Sequence, residues 1–254
     1  KEFTRNFYKT LTSGRIFSDV VTYKTKDEKF FSALVSIVPF IENNQIQYYV
    51  SIAKDISKEK TLYEKINYLT HFDALTNLPK RQAFIDYIER FIKRAEIENK
   101  VGAVAIINPI NFGNINKAYG FEFGNDLLKA IGERLGKIVR QIDIVAKLES
   151  DKFAVLLKDL SFEEDSLVLM VNIIKVLCDD YNINGTVVKL SFNAGVSLYP
   201  TDSRSPKILL EKAEIAVSDA KEKGEGALGF YRQEVEDSAK EKLSLRYNIT
   251  KALS

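Results

Sequence analysis

The residues of this chain whose types and spacing could do chemistry gather between Val139 and Leu157, in VRQIDIVAKLESDKFAVLL. Ile144 to Leu148 and Phe153 to Leu157 are short, mostly apolar runs, and Glu149, Ser150, Asp151 and Lys152 separate them. Apolar run, polar break, apolar run predicts a β-hairpin with a buried face. An acid at the tip of such a turn is placed to serve a ligand, although a hairpin with a merely solvated turn fits the same pattern. Arg140 and Asp143 carry opposite charges three residues apart at a helix-to-strand corner. They either pair locally or present a guanidinium and a carboxylate outward.

The elements that must position this hairpin flank it. Arg81 to about Glu98 reads as a helix whose buried side holds Ala83, Phe84, Tyr87, Ile88, Phe91 and Ile92, by 3.6-residue spacing. Val101 to Ile107, VGAVAII, is a continuous apolar strand and should be central. Beyond the hairpin, Asp165 to Asp180 reads as a helix, Lys189 to Leu198 as a strand, Pro206 to Lys223 as a helix and Leu228 to Tyr231 as a short strand. The order β-α-β-β-α-β with extras predicts an α+β or α/β domain, a ferredoxin-like mixed sheet with helices on one face.

Bulk properties exclude several functions. The 254 residues suggest one or two domains, and 45% hydrophobic with 28% charged residues is ordinary for a soluble globular chain. A net charge of +2 with interspersed signs gives no basic face for nucleic acid. One cysteine, Cys178, excludes an internal disulfide and fits a reducing compartment; it lies in an apolar run and reads as a core residue, not a nucleophile. With a single histidine, His71, it cannot build a zinc site. No apolar run approaches the roughly 18 residues of a membrane span, so a cytoplasmic location is expected, with a membrane anchor upstream of Lys1 compatible with it.

The hairpin also resembles the signature of the GGDEF family, the diguanylate cyclases, whose pattern is RxxD, five residues, then Gly-Gly-Asp/Glu-Glu-Phe. Arg140 and Asp143 fill the RxxD positions, and Glu149, Ser150, Asp151, Lys152 and Phe153 fill the signature. Asp73 to Arg81, DALTNLPKR, resembles the family's opening D-x-L-T-G-L-x-N-R, and the likeness runs from about residue 71 to 232. It implies a cyclase-palm fold and a GTP site with Mg²⁺. Family cyclases hold the metals with an acid at the end of the first strand and an acid of the hairpin; here the first position is Asn108, followed by Pro109, whose carbonyl can still ligate, and Asp151 remains. Asn116 matches the guanine-binding Asn, and Asn125 replaces the guanine-binding Asp. Lys221 matches a phosphate-contacting Lys, Gly113 replaces the phosphate-loop Lys, and Glu225 replaces an Arg. Both signature glycines and the fourth-position acid are gone. The resemblance therefore implies a catalytically degenerate domain with weak magnesium binding at most, and Arg140 and Asp143 as a site of the inhibitory type for cyclic di-GMP. An Arg can read guanine O6 and N7 through two hydrogen bonds.

Residues 1–57 resemble the C-terminal part of a PAS sensor domain. A short helix from Phe3 to Leu11 precedes three strands, Ile16 to Tyr23, Lys29 to Phe40 and Gln45 to Ala53, and the segment ends at Asp55-Ile56-Ser57. Residues 58–72 carry Leu62, Ile66 and Leu69 at spacings of four and three, a stripe that either packs on its own domain or pairs with a second copy as a signalling helix. Residues 233–254 are charged and end in a pattern similar to the linker that leads into an EAL phosphodiesterase domain; an ordinary solvated C-terminal helix is the alternative. The expected function is a cyclic di-GMP signalling module, binding GTP or cyclic di-GMP and controlling a downstream EAL domain. The alternatives are a weakly active, dimeric diguanylate cyclase and a nucleotide-free dimerisation or interaction module.

Overall fold

The computed structural model describes residues 2–43 and 45–232. The chain divides into two compact units, one ending at Tyr68 and the other beginning at Leu69.

In the first unit, helix α1 (Glu2–Thr12) precedes an antiparallel meander of β1 (Phe17–Lys24), β2 (Phe30–Glu42) and β3 (Gln45–Asp55), in spatial order β1-β2-β3. Val21 pairs with Ala33, and Val35 with Ala53. Leu11, Phe17, Ala33 and Val35 are buried apolar residues of this unit. Pro39 sits in the middle strand without breaking it, because β1 ends its pairing at Ile37 and leaves β2 an edge from there on. Helix α2 (Ser57–His71) follows; Asp55 accepts from the Ser57 N–H at 2.9 Å. Leu62, Ile66 and Leu69 are all exposed in the single chain.

The second unit is built on a five-stranded mixed sheet. Helix α3 (Arg81–Glu98) leads into β4 (Val101–Pro109), then α4 (Phe112–Tyr119), α5 (Phe121–Ile138), β5 (Ile144–Lys147) and β6 (Phe153–Leu160). Helix α6 (Asp165–Leu177), a small hairpin of β7 (Tyr181–Ile183) and β8 (Thr186–Val188), β9 (Phe192–Tyr199), α7 (Pro206–Lys223) and β10 (Leu228–Phe230) complete it. The strand order is β10-β9-β4-β6-β5, parallel between β10 and β9 and antiparallel elsewhere.

Two expectations need correction. The helices cover both faces of the sheet, not one. Ala103, Ala105 and Ile107 of β4 point into a core with α5 and α6, while Val104 and Ile106 point into a second core with α3 and α7. A strand apolar at every position has no face it can leave in water, so both must be covered. Second, the segment after α6 is not one strand from Lys189. The helix stops at Leu177, and Asn184-Gly185, both at positive φ, turn a separate hairpin before β9 starts at Phe192.

Close packing of α7 on β9 depends on small residues. A Cβ at Gly195 would lie 2.2 Å from the backbone nitrogen of Val217 and 2.5 Å from the carbonyl oxygen of Ala213. That contact fixes the middle of α7 against the sheet, one turn before Lys221. Residues 233–254, expected as a helical linker, lie outside the described residues.

Candidate functional site

The β5–β6 hairpin closes with Leu148 N–H on the Lys152 carbonyl at 3.0 Å and Lys152 N–H on the Glu149 carbonyl at 2.8 Å. Glu149 and Ser150 are exposed, Asp151 and Lys152 half-buried and Phe153 fully buried. Ser150 adopts φ +46°, the left-handed conformation that a glycine takes without cost. Lys147, one of the few buried charged residues, donates its ammonium to the Ser150 carbonyl and lies over the Phe153 ring. Burial pushes its pKa below the usual lysine range, against the pull of Asp73 and Asp151. Its backbone N–H meets the Pro79 carbonyl at 2.9 Å, tying the hairpin to the segment that opens the unit. There Asp73 Oδ1 accepts from both the N–H and the hydroxyl of Thr76, and Asn77 takes φ +62°.

Ile107 pairs with Phe153, so the hairpin turn and the end of β4 stand at the same end of the sheet. At that end a cleft of about 350 Å³ is lined by Asn108, Pro109, Asn111, Asn193, Lys221 and Glu225, among others. Asn108 and Asn193 face each other across β4 and β9, and both are more than nine-tenths buried. Asn193 accepts the Ala227 N–H at 2.9 Å, which fixes its amide orientation and leaves its NH₂ as a donor. Asn108 donates to the Pro109 carbonyl at 3.3 Å. Asn111 caps α4 in the left-handed region and lies 3.5 Å from the Glu225 carboxylate. The structure thus brings Asn108, Pro109, Lys221 and Glu225 to one cleft, with Asp151 in the turn at the same end of the sheet.

Asn116 and Asn125 lie apart from that lining, where α4 meets α5. Gly120, at φ +89°, ends one helix and starts the next. Asn116 packs its side chain on Gly124, where an added Cβ would come within 1.8 Å of Oδ1. That oxygen is buried and has no hydrogen-bond partner. Asn125, next along α5, is exposed. Buried polar atoms are nearly always paired, so an orphaned acceptor here marks a place where a donor is missing.

Arg140 and Asp143 are separated from the turn by the whole of β5, about 13 Å at the usual strand rise. They form a bidentate pair, and Arg140 also donates to the Lys158 carbonyl at 2.7 Å. Asp143 pushes the pKa of Arg140 up.

Lys147, Asn111 and Asn193 were not among the residues that the sequence singled out. The available signal was a polar residue inside an otherwise buried strand, IVAK for Lys147 and FNAGVSLY for Asn193. Among the described residues no helix is long and apolar enough to cross a membrane, and Cys178 is half-buried against the core.

Comparison with known proteins is consistent with this architecture. The profile "Diguanylate cyclase, GGDEF domain" matches residues 70–227. The bifunctional diguanylate cyclase/cyclic di-GMP phosphodiesterase MucR of Pseudomonas aeruginosa is 32% identical over 181 residues, 71% of this chain and 26% of that protein. The cyclic di-GMP phosphodiesterase NbdA of the same organism is 26% identical over 191 residues, 75% of this chain and 24% of that protein. The chain therefore spans about a quarter of the length of these relatives. Among solved structures, the GGDEF domain of TpbB (YfiN) from P. aeruginosa superposes with a TM-score of 0.62 at 31% identity, covering 67% of this chain and 99% of that one.

Proposed function

Because the chain belongs to the diguanylate cyclase GGDEF family, we propose that residues 73–232 are a non-catalytic member of it, a guanine-nucleotide-binding regulatory domain of cyclic di-GMP signalling. The observation that carries the binding half of this reading is the buried, partnerless Oδ1 of Asn116. Guanine has N–H donors for such an acceptor, and an exposed Asn125 stands beside it. Lys221 lies in the cleft at the strand ends, where phosphates would follow.

The non-catalytic half rests on chemistry the site lacks. Two-metal phosphoryl transfer needs anionic oxygens around the metals. A neutral Asn108 holds the strand-end position, Glu225 puts a negative charge on the rim, and Glu149 and Ser150 occupy the positions of the signature glycines. Each such loss costs about tenfold or more at roughly 1.4 kcal/mol per decade.

Around this core we place a partial PAS-like sensor at residues 1–57, a signalling helix at 58–72 and a linker at 233–254 leading to an EAL phosphodiesterase domain. The exposed Leu62, Ile66 and Leu69 stripe supports pairing of two copies through the helix, and the phosphodiesterase activities of the relatives MucR and NbdA support a phosphodiesterase in the same chain. The test is incubation with GTP and Mg²⁺ or Mn²⁺, read by chromatography for cyclic di-GMP, beside calorimetric titration with GTP and cyclic di-GMP. Binding without product is expected. Time-dependent product would overturn the non-catalytic reading, and absence of all binding would leave an interaction module.

A further inference from the structure

The cleft at the ends of β4 and β9 has the wrong polarity for a metal ion. Magnesium requires anionic oxygens in near-octahedral array. Asn108, at the position that would supply one, turns its NH₂ toward the Pro109 carbonyl. Asn193, opposite it, has its carbonyl held by Ala227 N–H and keeps only NH₂ for the cleft. Lys221 adds a cation and Glu225 an anion, so the charged side chains of the lining cancel. Among the described residues no three His, Cys, Asp or Glu side chains are grouped to hold a metal. The residues present do not fit the ion that the family's reaction implies.

Taking the guanine-nucleotide reading above as its premise, we infer that this cleft binds the phosphate of a low-charge guanine nucleotide, with GMP as the model ligand, directly and without a divalent cation. Two features point the same way. The Asn193 NH₂, on a side chain only 4% exposed, and the Lys221 ammonium are donors, which complement phosphate oxygens and repel a cation. The Lys221 ammonium offsets about half of the roughly −2 charge that a monophosphate carries at neutral pH. It offsets a smaller share for a triphosphate beside Glu225, whose carboxylate repels every added negative charge.

The inference is tested by calorimetric titration of the full chain with GMP and with GTP, each in excess magnesium chloride and in excess EDTA. GMP should bind with a Kd that changes less than about twofold between the two conditions, and GTP should bind about tenfold more weakly. Lys221→Met, at an exposed position, should weaken GMP about tenfold or more with an unchanged melting temperature. Asn108→Asp should install magnesium dependence, with GTP binding tightening about tenfold when the ion is added. GTP binding that requires magnesium in the unaltered chain would overturn the inference while leaving the nucleotide reading intact. So would full GMP affinity in Lys221→Met, or an Asn108→Asp protein indifferent to magnesium. Absence of any guanine nucleotide binding would remove both readings together.

Discussion

Arg140 and Asp143 close on each other: Nε and Nη2 of Arg140 meet Oδ2 and Oδ1 of Asp143, each at 2.8 Å. The same carboxylate accepts the backbone N–H groups of Arg140 at 3.2 Å and Lys158 at 3.0 Å. A carboxylate has about four acceptor positions, and here all are used. The Asp143 side chain is 1% exposed and that of Arg140 38%. The pair pins the entrance of β5 to β6, and only Nη1 of Arg140 is left for a guanine. Asp143 could accept from cyclic di-GMP only by releasing donors it already holds.

The two partners should therefore respond unequally to removal. Arg140→Ala strands a buried carboxylate and should cost about 3–5 kcal/mol. Asp143→Ala leaves a half-exposed guanidinium that water can solvate, and should cost less, about 2 kcal/mol, chiefly for the lost backbone acceptors. Urea unfolding of both single variants and the double variant measures this; the double variant should match Asp143→Ala. Equal costs for the two singles would show that the burial of Asp143 does not set the energetics.

What the sequence disclosed follows from which signals are local. Helices α3 and α7 run over the residues expected from the sequence, Arg81–Glu98 and Pro206–Lys223, and the hairpin at 149–152 lies where the apolar runs break. Coverage of both sheet faces was implicit in VGAVAII but needed the physical step that an all-apolar strand has no wet side. Asn184-Gly185, a strong turn signal, was hidden by the apolar residues around it. In the site, resemblance to the family's motifs brought Asn108 and Lys221 together, whereas Asn193 could not be found this way. Its role depends on facing Asn108 across two strands some 85 residues apart, and register between distant strands is not written in either one alone.

Ser150 supplies a second prediction. It holds φ +46° at a position where the family has glycine, supported by Lys147 gripping its carbonyl. The left-handed conformation costs a non-glycine residue about 1–2 kcal/mol, partly offset by the greater entropy of glycine in the unfolded chain. Ser150→Gly should therefore stabilise the protein by about 0.5–1 kcal/mol, seen as a raised urea midpoint with unchanged slope. A lowered midpoint would mean that the turn is not under strain.

Glu225 supplies the third. It lines the cleft with Lys221 and is neighboured by Asn111, so under the proposed nucleotide binding it sets the potential that an incoming phosphate meets. Glu225→Arg replaces a repulsion with an attraction; a reversal of two charge units at an exposed rim is worth about 1–2 kcal/mol. GTP affinity should rise about tenfold, the gain shrinking at high salt because the site is open to solvent. An unchanged affinity across the salt series would place the phosphates elsewhere.

Tyr181 closes the set, because its hydroxyl is buried and makes no hydrogen bond, while the Arg134 guanidinium stacks 3.6 Å over its ring. Removing an unsatisfied buried hydroxyl at constant ring shape should be neutral or stabilising by up to about 1 kcal/mol, so Tyr181→Phe should melt no lower than the parent. Burial, partly countered by Arg134, pushes the phenol from its ordinary 10.0 up to about 12. The folded state then holds its proton more tightly than the unfolded state, so this group contributes no slope below pH 10 and a falling stability between about pH 10 and 12. Tyr181→Phe should flatten that part of the stability–pH curve. An alkaline slope as steep in the variant as in the parent would show that Tyr181 ionises as freely in the folded protein as in the unfolded chain.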